Sequence, residues 1–283
     1  MIVREKPNAL RLFFIIRGSV LRVVWPQVLG VGLLSAAVVL LHRLSPGLVP
    51  DVNSAPFALI GIALSIFLSF RNNASYDRWW EARRLWGQII QTARDILRQS
   101  VMLEGAPERR ALVLPVVAFA HRAERQLRGL GVEASADAAL LEAARVLAGL
   151  ERAGRLSVPE AMALHDSLLR LSQALVGCER LANTPLPFAY TLLLHRTAYL
   201  FCFVLPFGFA DVLGWLTPLL TALVSYTFFG LDALGEELEE PFGLQANDLP
   251  IGAYATGVEI TLRGALGDTD LPAAPVPVAY VLR

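Results

Sequence analysis

The chain contains little cysteine and little histidine, and this scarcity excludes several classes of protein. Two cysteines, Cys178 and Cys202, are too few for a disulfide framework or a cysteine-rich metal site, so we interpret them as small buried apolar residues. None of the four histidines forms an HxxxH or HExxH pair, and there is no GxSxG or P-loop motif. The sequence therefore predicts no metal centre and no enzymatic activity.

The chain also has no net charge, because 25 Lys and Arg residues balance 25 Asp and Glu residues. It thus has no overall basic field with which to recruit nucleic acid. Apolar residues make up 55% of the sequence, and the mean hydropathy is +0.51. Both values are higher than is usual for a soluble domain, and the apolar residues are clustered in uncharged runs. We therefore predict a membrane protein with no nucleic acid partner.

Uncharged runs divide the chain into predicted segments. Residues 23–41 and 52–70 are each long enough to span a bilayer. The block 197–231, interrupted near Asp211, is long enough for two more spans if the third begins near Phe188. The predicted organisation is an N-terminal amphipathic helix (1–22), two transmembrane helices (23–70), a cytosolic helical region (71–187), two further transmembrane helices (188–233), and a cytosolic C-terminal helix and tail (234–283).

Basic residues predict the orientation of these spans. Five precede the first span and four follow the second, whereas the link between these two spans contains only His42 and Arg43. The turn near Asp211 contains no basic residue. Because Lys and Arg are enriched in cytoplasmic segments, both termini are expected in the cytoplasm.

The region between the second and third spans is predicted to be helical, which makes the whole chain all-α. Its apolar residues recur at three- and four-residue spacings, and no strand pattern of weight appears. One of its helices is expected to begin after Ser157, an N-cap with Glu160 three residues later.

The second span combines apolar and polar residues on one face. At 100° per residue, four side chains fall within about 80° of one another, with Ser69 beside them: Ile62, Ile66, Phe70 and Asn73. An ordinary packing stripe explains this spacing equally well. The polar continuation below the apolar residues favours a water-filled passage that narrows to an apolar throat.

The run YDRWWEARRLWG, residues 76–87, follows this span and has two interpretations. It is either an interfacial belt, with Trp79, Trp80 and Trp86 at headgroup depth, or a joint at which charged residues such as Asp77 and Arg78 pair between subunits.

Three blocks of the sequence resemble the bestrophin family in its prokaryotic branch. They are APFALIGIALSIFLSFRNNASYDRWWEARRLWG, NTPLPFAYTLLLHRTAYLFCFVLPF, and LDALGEELEEPFG followed by NDLP. The resemblance implies a homopentameric ion channel, multi-pass in the bacterial inner membrane, whose partners are monovalent ions, the lipid bilayer and other copies of itself. Five copies of the second span would surround the axis.

The same resemblance implies where the pore narrows. The neck positions match Ile62, Ile66 and Phe70, and Ser69 and Asn73 are the expected polar pore-lining residues. A second, cytosolic aperture is expected at Leu181, with Thr184 as the alternative position. Animal members clasp calcium with a continuous acidic run after the PFG block, but this chain has Leu-Gln-Ala there. Calcium prefers six to eight oxygen ligands, so we predict no cofactor and no calcium clasp.

The charge preference of such a channel must come from its vestibules, since apolar rings carry no charge. Asp51, Asp211 and the acidic residues of 232–240 favour cations, whereas Arg71 just below the neck opposes them. We therefore predict a preference for Na⁺ and K⁺, with chloride as the alternative. An alternative of another class is a membrane scaffold or sensor whose cytosolic helices bind a partner through residues 101–175. The acidic run itself is interpreted as a solvated helix face or, alternatively, as a partner for the Arg-rich second helix or as a cation-attracting vestibule.

Overall fold

The structure is a computed structural model that describes residues 1–4, 8–12, 14–16, 18–45, 47, 52–131 and 133–283. Throughout these residues the regular secondary structure is helical, and β-structure is limited to the isolated bridges Ile2–Val281 and Val278–Val281. The prediction of an all-α fold is therefore confirmed.

The α-helices follow the predicted order along the chain. They are α1 (Ala9–Leu12), α2 (Leu21–Leu44), α3 (Ala55–Gln99), α4 (Pro107–Leu127), α5 (Ala136–Arg152), α6 (Val158–Asn183), α7 (Phe188–Leu213), α8 (Thr217–Glu239) and α9 (Ile251–Ala265). Helix α3 continues without interruption from the apolar segment into the polar and aromatic one. The helix predicted over 1–22 is shorter in the described residues, where only Ala9–Leu12 precede α2 as a helix.

The chain divides into two compact units. The first comprises Lys6–Arg78 and Pro185–Glu239, and we call it the membrane unit. The second comprises Met1–Glu5, Trp79–Thr184 and Glu240–Arg283, and we call it the insert unit. The membrane unit is named for its apolar composition, and the insert unit is named for the region that lies between the second and third spans in the sequence.

The membrane unit contains the helices that are apolar enough to cross a bilayer. Three helical stretches qualify by length and composition: Leu21–Leu44, Ala55–Leu103 and Phe188–Glu239. The third stretch contains two helices, α7 and α8, joined by a 3₁₀ turn over Gly214–Leu216. Gly214 has a φ of 53°, a left-handed conformation that favours glycine, and the Thr217 hydroxyl donates to the Phe209 carbonyl at 3.1 Å. The chain is thus a membrane protein with four transmembrane helices.

Helices α3 and α7 approach each other closely in the membrane unit. A Cβ added at Gly208 would lie 2.5 Å from the Cε2 atom of Phe57, so the Phe57 ring packs directly on the α7 backbone. Small residues permit such close contacts between transmembrane helices. The ring of Phe57 also meets that of Phe209 edge-on, with 6.3 Å between the ring centroids. These contacts hold the first turn of α3 against α7.

The insert unit has its own core, formed by the second half of α3 with α4, α5, α6 and α9. Trp86 and Phe119 are completely buried in this core. Helix α6 begins as predicted, because Ser157 and Glu160 form a complete capping box. Cys178 is also buried, and burial raises the pKa of its thiol to about 12. Both cysteines are free and buried, which confirms that they serve as small core residues.

Two arginines bind one carboxylate in the insert unit. Arg110 donates two hydrogen bonds to Asp268, at 2.6 and 3.2 Å, and the Nε atom of Arg263 donates a third at 2.8 Å. The hydrogen bonds from Arg110 and then from Arg263 lower the pKa of Asp268 to about 2. The charged carboxylate thus stabilises the junction between α4 and the end of α9.

Replacing Asp268 with asparagine is therefore expected to lower the melting temperature at pH 7. A carboxylate whose pKa is depressed in the folded state contributes stability above its unfolded pKa and loses it as the pH falls through the folded value. The difference between the wild type and Asp268→Asn should accordingly shrink as the pH falls from about 4 towards 2. Thermal unfolding at pH 7 and pH 3 measures this. Asp270→Asn, which alters an exposed carboxylate two residues away, is the control. The expectation would be refuted if Asp268→Asn lowered the melting temperature at pH 7 by no more than Asp270→Asn does.

Candidate ion pathway along α3

One face of α3 belongs to the core of the membrane unit. Its buried side chains recur with helical spacing, at Leu64, Leu68, Arg71 and Ser75, and their exposed fractions do not exceed 3%. Leu64 and Leu68 pack in an apolar cluster with residues of α2, α7 and α8. The orientation of this part of α3 within its own unit is therefore fixed.

The three predicted neck residues lie on the opposite face of α3. Ile62, Ile66 and Phe70 are 60%, 49% and 60% exposed, although each is a large apolar side chain. The centre of this face is roughly 180° around the helix from the buried one. The neck residues are therefore not buried against their own subunit and are available to line a surface made by several copies.

The predicted polar residues follow the same face. Ser69 and Asn73 are both exposed, and Asn73 lies about 20° around the helix from Ile62 and three residues beyond Phe70. The structure thus brings all five predicted pore residues to one side of α3. Their role in a pore stays a prediction, because it concerns the assembled protein.

A buried group of charges lies on the other side of α3. The Arg71 guanidinium pairs with the Asp232 carboxylate of α8, and the two side chains are only 2% and 8% exposed. The Nδ1 atom of His195 on α7 lies 2.6 Å from the second carboxylate oxygen of Asp232. Glu239 completes the group, 3.9 Å from Arg71, and accepts a hydrogen bond from the Leu186 amide at 2.9 Å. Arg71, Asp232 and His195 thus join the three helices.

This arrangement corrects the prediction for Arg71. The sequence placed its charge just below the neck, where it would oppose cations, but the side chain points into the core and is neutralised by Asp232. The interpretation of the acidic run as a solvated face is also wrong for Asp232, which is buried. The signal available in the sequence was spacing, because Arg71 follows Leu64 and Leu68 on the face opposite Ile62 and Ile66.

The sequence matches the family model described as the bacterial and fungal bestrophin protein, over residues 1–144 and 130–264. The chain belongs to the bestrophin family. A crystal structure of a bacterial bestrophin homologue from Klebsiella pneumoniae is similar to this chain, with a TM-score of 0.82 and 37% identity. That comparison covers 87% of this chain and 99% of the homologue.

Curated relatives of this bestrophin are named voltage-dependent anion channel-forming proteins. One from Mesorhizobium japonicum is 44% identical and covers 99% of this chain and 97% of its own length. One from Salmonella typhimurium is 42% identical, with 98% of each chain covered, and one from Ralstonia nicotianae is 35% identical over all of both chains. These names agree with the prediction of a channel rather than an enzyme. They do not support the predicted preference for cations, and they match the chloride alternative.

The two residues predicted for the cytosolic aperture differ in exposure. Leu181 is only 5% exposed and packs in the core of the insert unit. Thr184, which follows the end of α6, is exposed. The aperture belongs to the assembled protein, so its position at Leu181, with Thr184 as the alternative, stays a prediction.

The segment after the PFG block forms a closed loop in this bestrophin. The Asp248 carboxylate accepts a hydrogen bond from the Gln245 amide at 2.6 Å and is 3% exposed. A Cβ added at Gly243 would lie 2.5 Å from this carboxylate, so glycine is needed for the loop to close. Within the described ranges, no group of three His, Cys, Asp or Glu side chains is arranged to hold a metal ion.

The aromatic run after the neck is mostly part of the insert unit. Trp86 is completely buried there, which contradicts its predicted place in an interfacial belt. The Trp79 indole donates to the Asn247 carbonyl at 3.1 Å, and Glu81 pairs with Arg180 in the same subunit. Trp80 is 46% exposed and remains compatible with an interfacial position.

Proposed function

We propose that this bestrophin is a homopentameric channel for small monovalent ions, multi-pass in the bacterial inner membrane, with both termini in the cytoplasm. The observation that carries the proposal is the exposure of Ile62, Ile66 and Phe70 on the α3 face opposite the core. The names of the curated relatives, which are channel-forming proteins, support the same conclusion.

The geometry of α3 explains how such a pore would work. At a rise of about 1.5 Å per residue, five copies of α3 around an axis would stack three apolar rings about 6 Å apart, giving a neck about 12 Å long. A narrow apolar passage resists wetting, so ions cross when it widens or hydrates. Ser69 and Asn73 would supply polar surface at the lower end of this neck.

The charge of the permeant ion has two candidates. Anions, with chloride as the physiological case, are supported by the names of the relatives. The Arg71–Asp232 pair removes one positive and one negative charge together, so it favours neither ion. Cations such as Na⁺ and K⁺ are supported by the remaining acidic residues of 232–240. The second candidate therefore keeps a physical basis in this chain.

Reconstitution of the purified protein tests the proposal. Native mass spectrometry should give five copies per particle, and planar bilayers containing the protein should conduct in symmetric KCl. Under a tenfold KCl gradient, the sign of the reversal potential then distinguishes chloride from potassium. A particle of another size, or a pentamer that carries no current, would refute the proposal. In the second case, retention of a soluble partner by residues 101–175 would support the scaffold alternative.

A further inference from the structure

A carboxylate follows the polar end of the predicted pore face. Asp77 lies about 20° around the helix from both Phe70 and Ile66, and about 40° from Asn73, so all four share one side of α3. Its side chain is exposed. Among the residues that the structure describes, none forms an ion pair or hydrogen bond with this carboxylate.

The basic residues nearest to Asp77 along α3 in the membrane unit are directed elsewhere. Arg71 is buried against α8 and paired with Asp232. Arg78 lies about 100° around the helix from Asp77 and donates from its Nε atom to the Glu239 carbonyl at 3.2 Å. Up to Arg78, α3 therefore places the negative charge of Asp77 on the pore face without a basic side chain beside it. The next basic residue on this face of α3 is the exposed Arg84, seven residues beyond Asp77 and fourteen beyond Phe70, so it is twice as far from the neck along the helix.

The distance between Asp77 and the neck is short enough for this charge to act on a permeating ion. Seven residues separate Asp77 from Phe70, which corresponds to about 10 Å along the helix. The Debye length at physiological ionic strength is about 8 Å, so roughly a third of the potential of each charge remains at this distance. Five copies would add their potentials at the same level of the pore.

We propose that Asp77 is a selectivity residue of this channel: its five carboxylates form an anionic ring at the polar end of the neck and raise the permeability of cations relative to anions. This inference rests on the proposed function, since it requires α3 to line the pore. The inference holds whether the wild-type channel prefers anions or cations, because it concerns only how much the ring raises the cation-to-anion permeability ratio.

The test compares the Na⁺-to-Cl⁻ permeability ratio of wild type and Asp77→Asn in planar bilayers with asymmetric NaCl. Five unit charges at about 10 Å in water, screened over about one Debye length, favour a cation and disfavour an anion by about threefold each. The ratio is therefore expected to fall roughly tenfold when these charges are removed. Asp77→Lys should lower the ratio further. At about 1 M salt, where the Debye length is about 3 Å, the difference between wild type and Asp77→Asn should largely disappear.

Two control variants separate charge at this position from other effects. Asp77→Glu keeps the carboxylate and should keep the wild-type ratio. Asp270→Asn removes an exposed carboxylate from the C-terminal tail, outside α3 and outside the acidic run 232–240, and should also leave the ratio unchanged. The oligomeric state of every variant is checked by native mass spectrometry.

Several results would overturn the inference. One is an unchanged ratio in Asp77→Asn channels that conduct normally, which would leave the proposed function intact. Another is loss of the pentamer in Asp77→Asn but not in Asp77→Glu, because the carboxylate would then be a contact between subunits. Absence of current from the wild-type pentamer would overturn the proposed function itself, and this inference with it.

Discussion

Channels carrying Ile66→Ala are expected to conduct several-fold more current than the wild type. Ile66 is the middle residue of the predicted neck, and its replacement in all five subunits would remove fifteen methyl or methylene groups from the narrowest part of the pore. A wider, less apolar ring is easier to hydrate, and hydration limits passage through such a constriction. Single-channel recording in planar bilayers measures the effect directly.

Ile60→Ala is the matched control for this experiment. Ile60 is on the same helix and 47% exposed, against 49% for Ile66, but it lies about 120° away around the helix. The same chemical change there should leave the conductance unchanged. Equal conductance in the wild type and in alanine variants at all three neck positions would show that this face of α3 does not line the pore.

Replacing Asp232 with asparagine is expected to lower the free energy of unfolding by about 3–5 kcal/mol, the usual cost of removing one partner from a buried ion pair. Asparagine has nearly the same shape, so the loss would come from the Arg71 charge, which stays buried without its counter-ion. The side chains are 2% and 8% exposed, which limits compensation by water. Thermal unfolding in detergent, followed by tryptophan fluorescence, gives the shift.

An exposed ion pair provides the comparison for Asp232→Asn. Arg98 is 66% exposed and pairs with Asp95 one turn earlier on α3, so Arg98→Gln should cost less than about 1 kcal/mol. The double variant Arg71→Met, Asp232→Leu should recover much of the stability, because a buried pair can often be replaced by apolar residues of similar size. Equal destabilisation by Asp232→Asn and Arg98→Gln would show that the buried pair is not important for stability.

Much of the fold could be predicted from the sequence because its signals are local. Helical periodicity and the capping residues Ser157 and Glu160 depend on neighbours three or four positions apart, and these helices are present in the structure. The face of Ile62, Ile66 and Phe70 could be predicted for the same reason, since a helix has a known rotation per residue. Helical spacing shows only that these residues share a face. Their predicted role as a pore neck came from the resemblance to the bestrophin family.

The predictions that failed depend on contacts between distant parts of the chain. Trp86 was assigned to an interfacial belt, but it is buried in the core of the insert unit. The direction in which the Arg71 side chain points depends on the Asp232 carboxylate, which is 161 positions later and on a different helix. A single sequence indicates that such residues are apolar or charged, but not which distant side chain they meet.

The contacts of Phe57 and Arg71 have a consequence for gating. Phe57 fixes α3 to α7 five residues before Ile62, and Arg71 fixes it to α8 one residue after Phe70. The predicted neck stretch therefore lies between two anchor points, and bending it alone would break one of them. In the proposed pentamer, opening would accordingly involve rotation of these side chains about their own bonds, or movement of whole membrane units away from the axis.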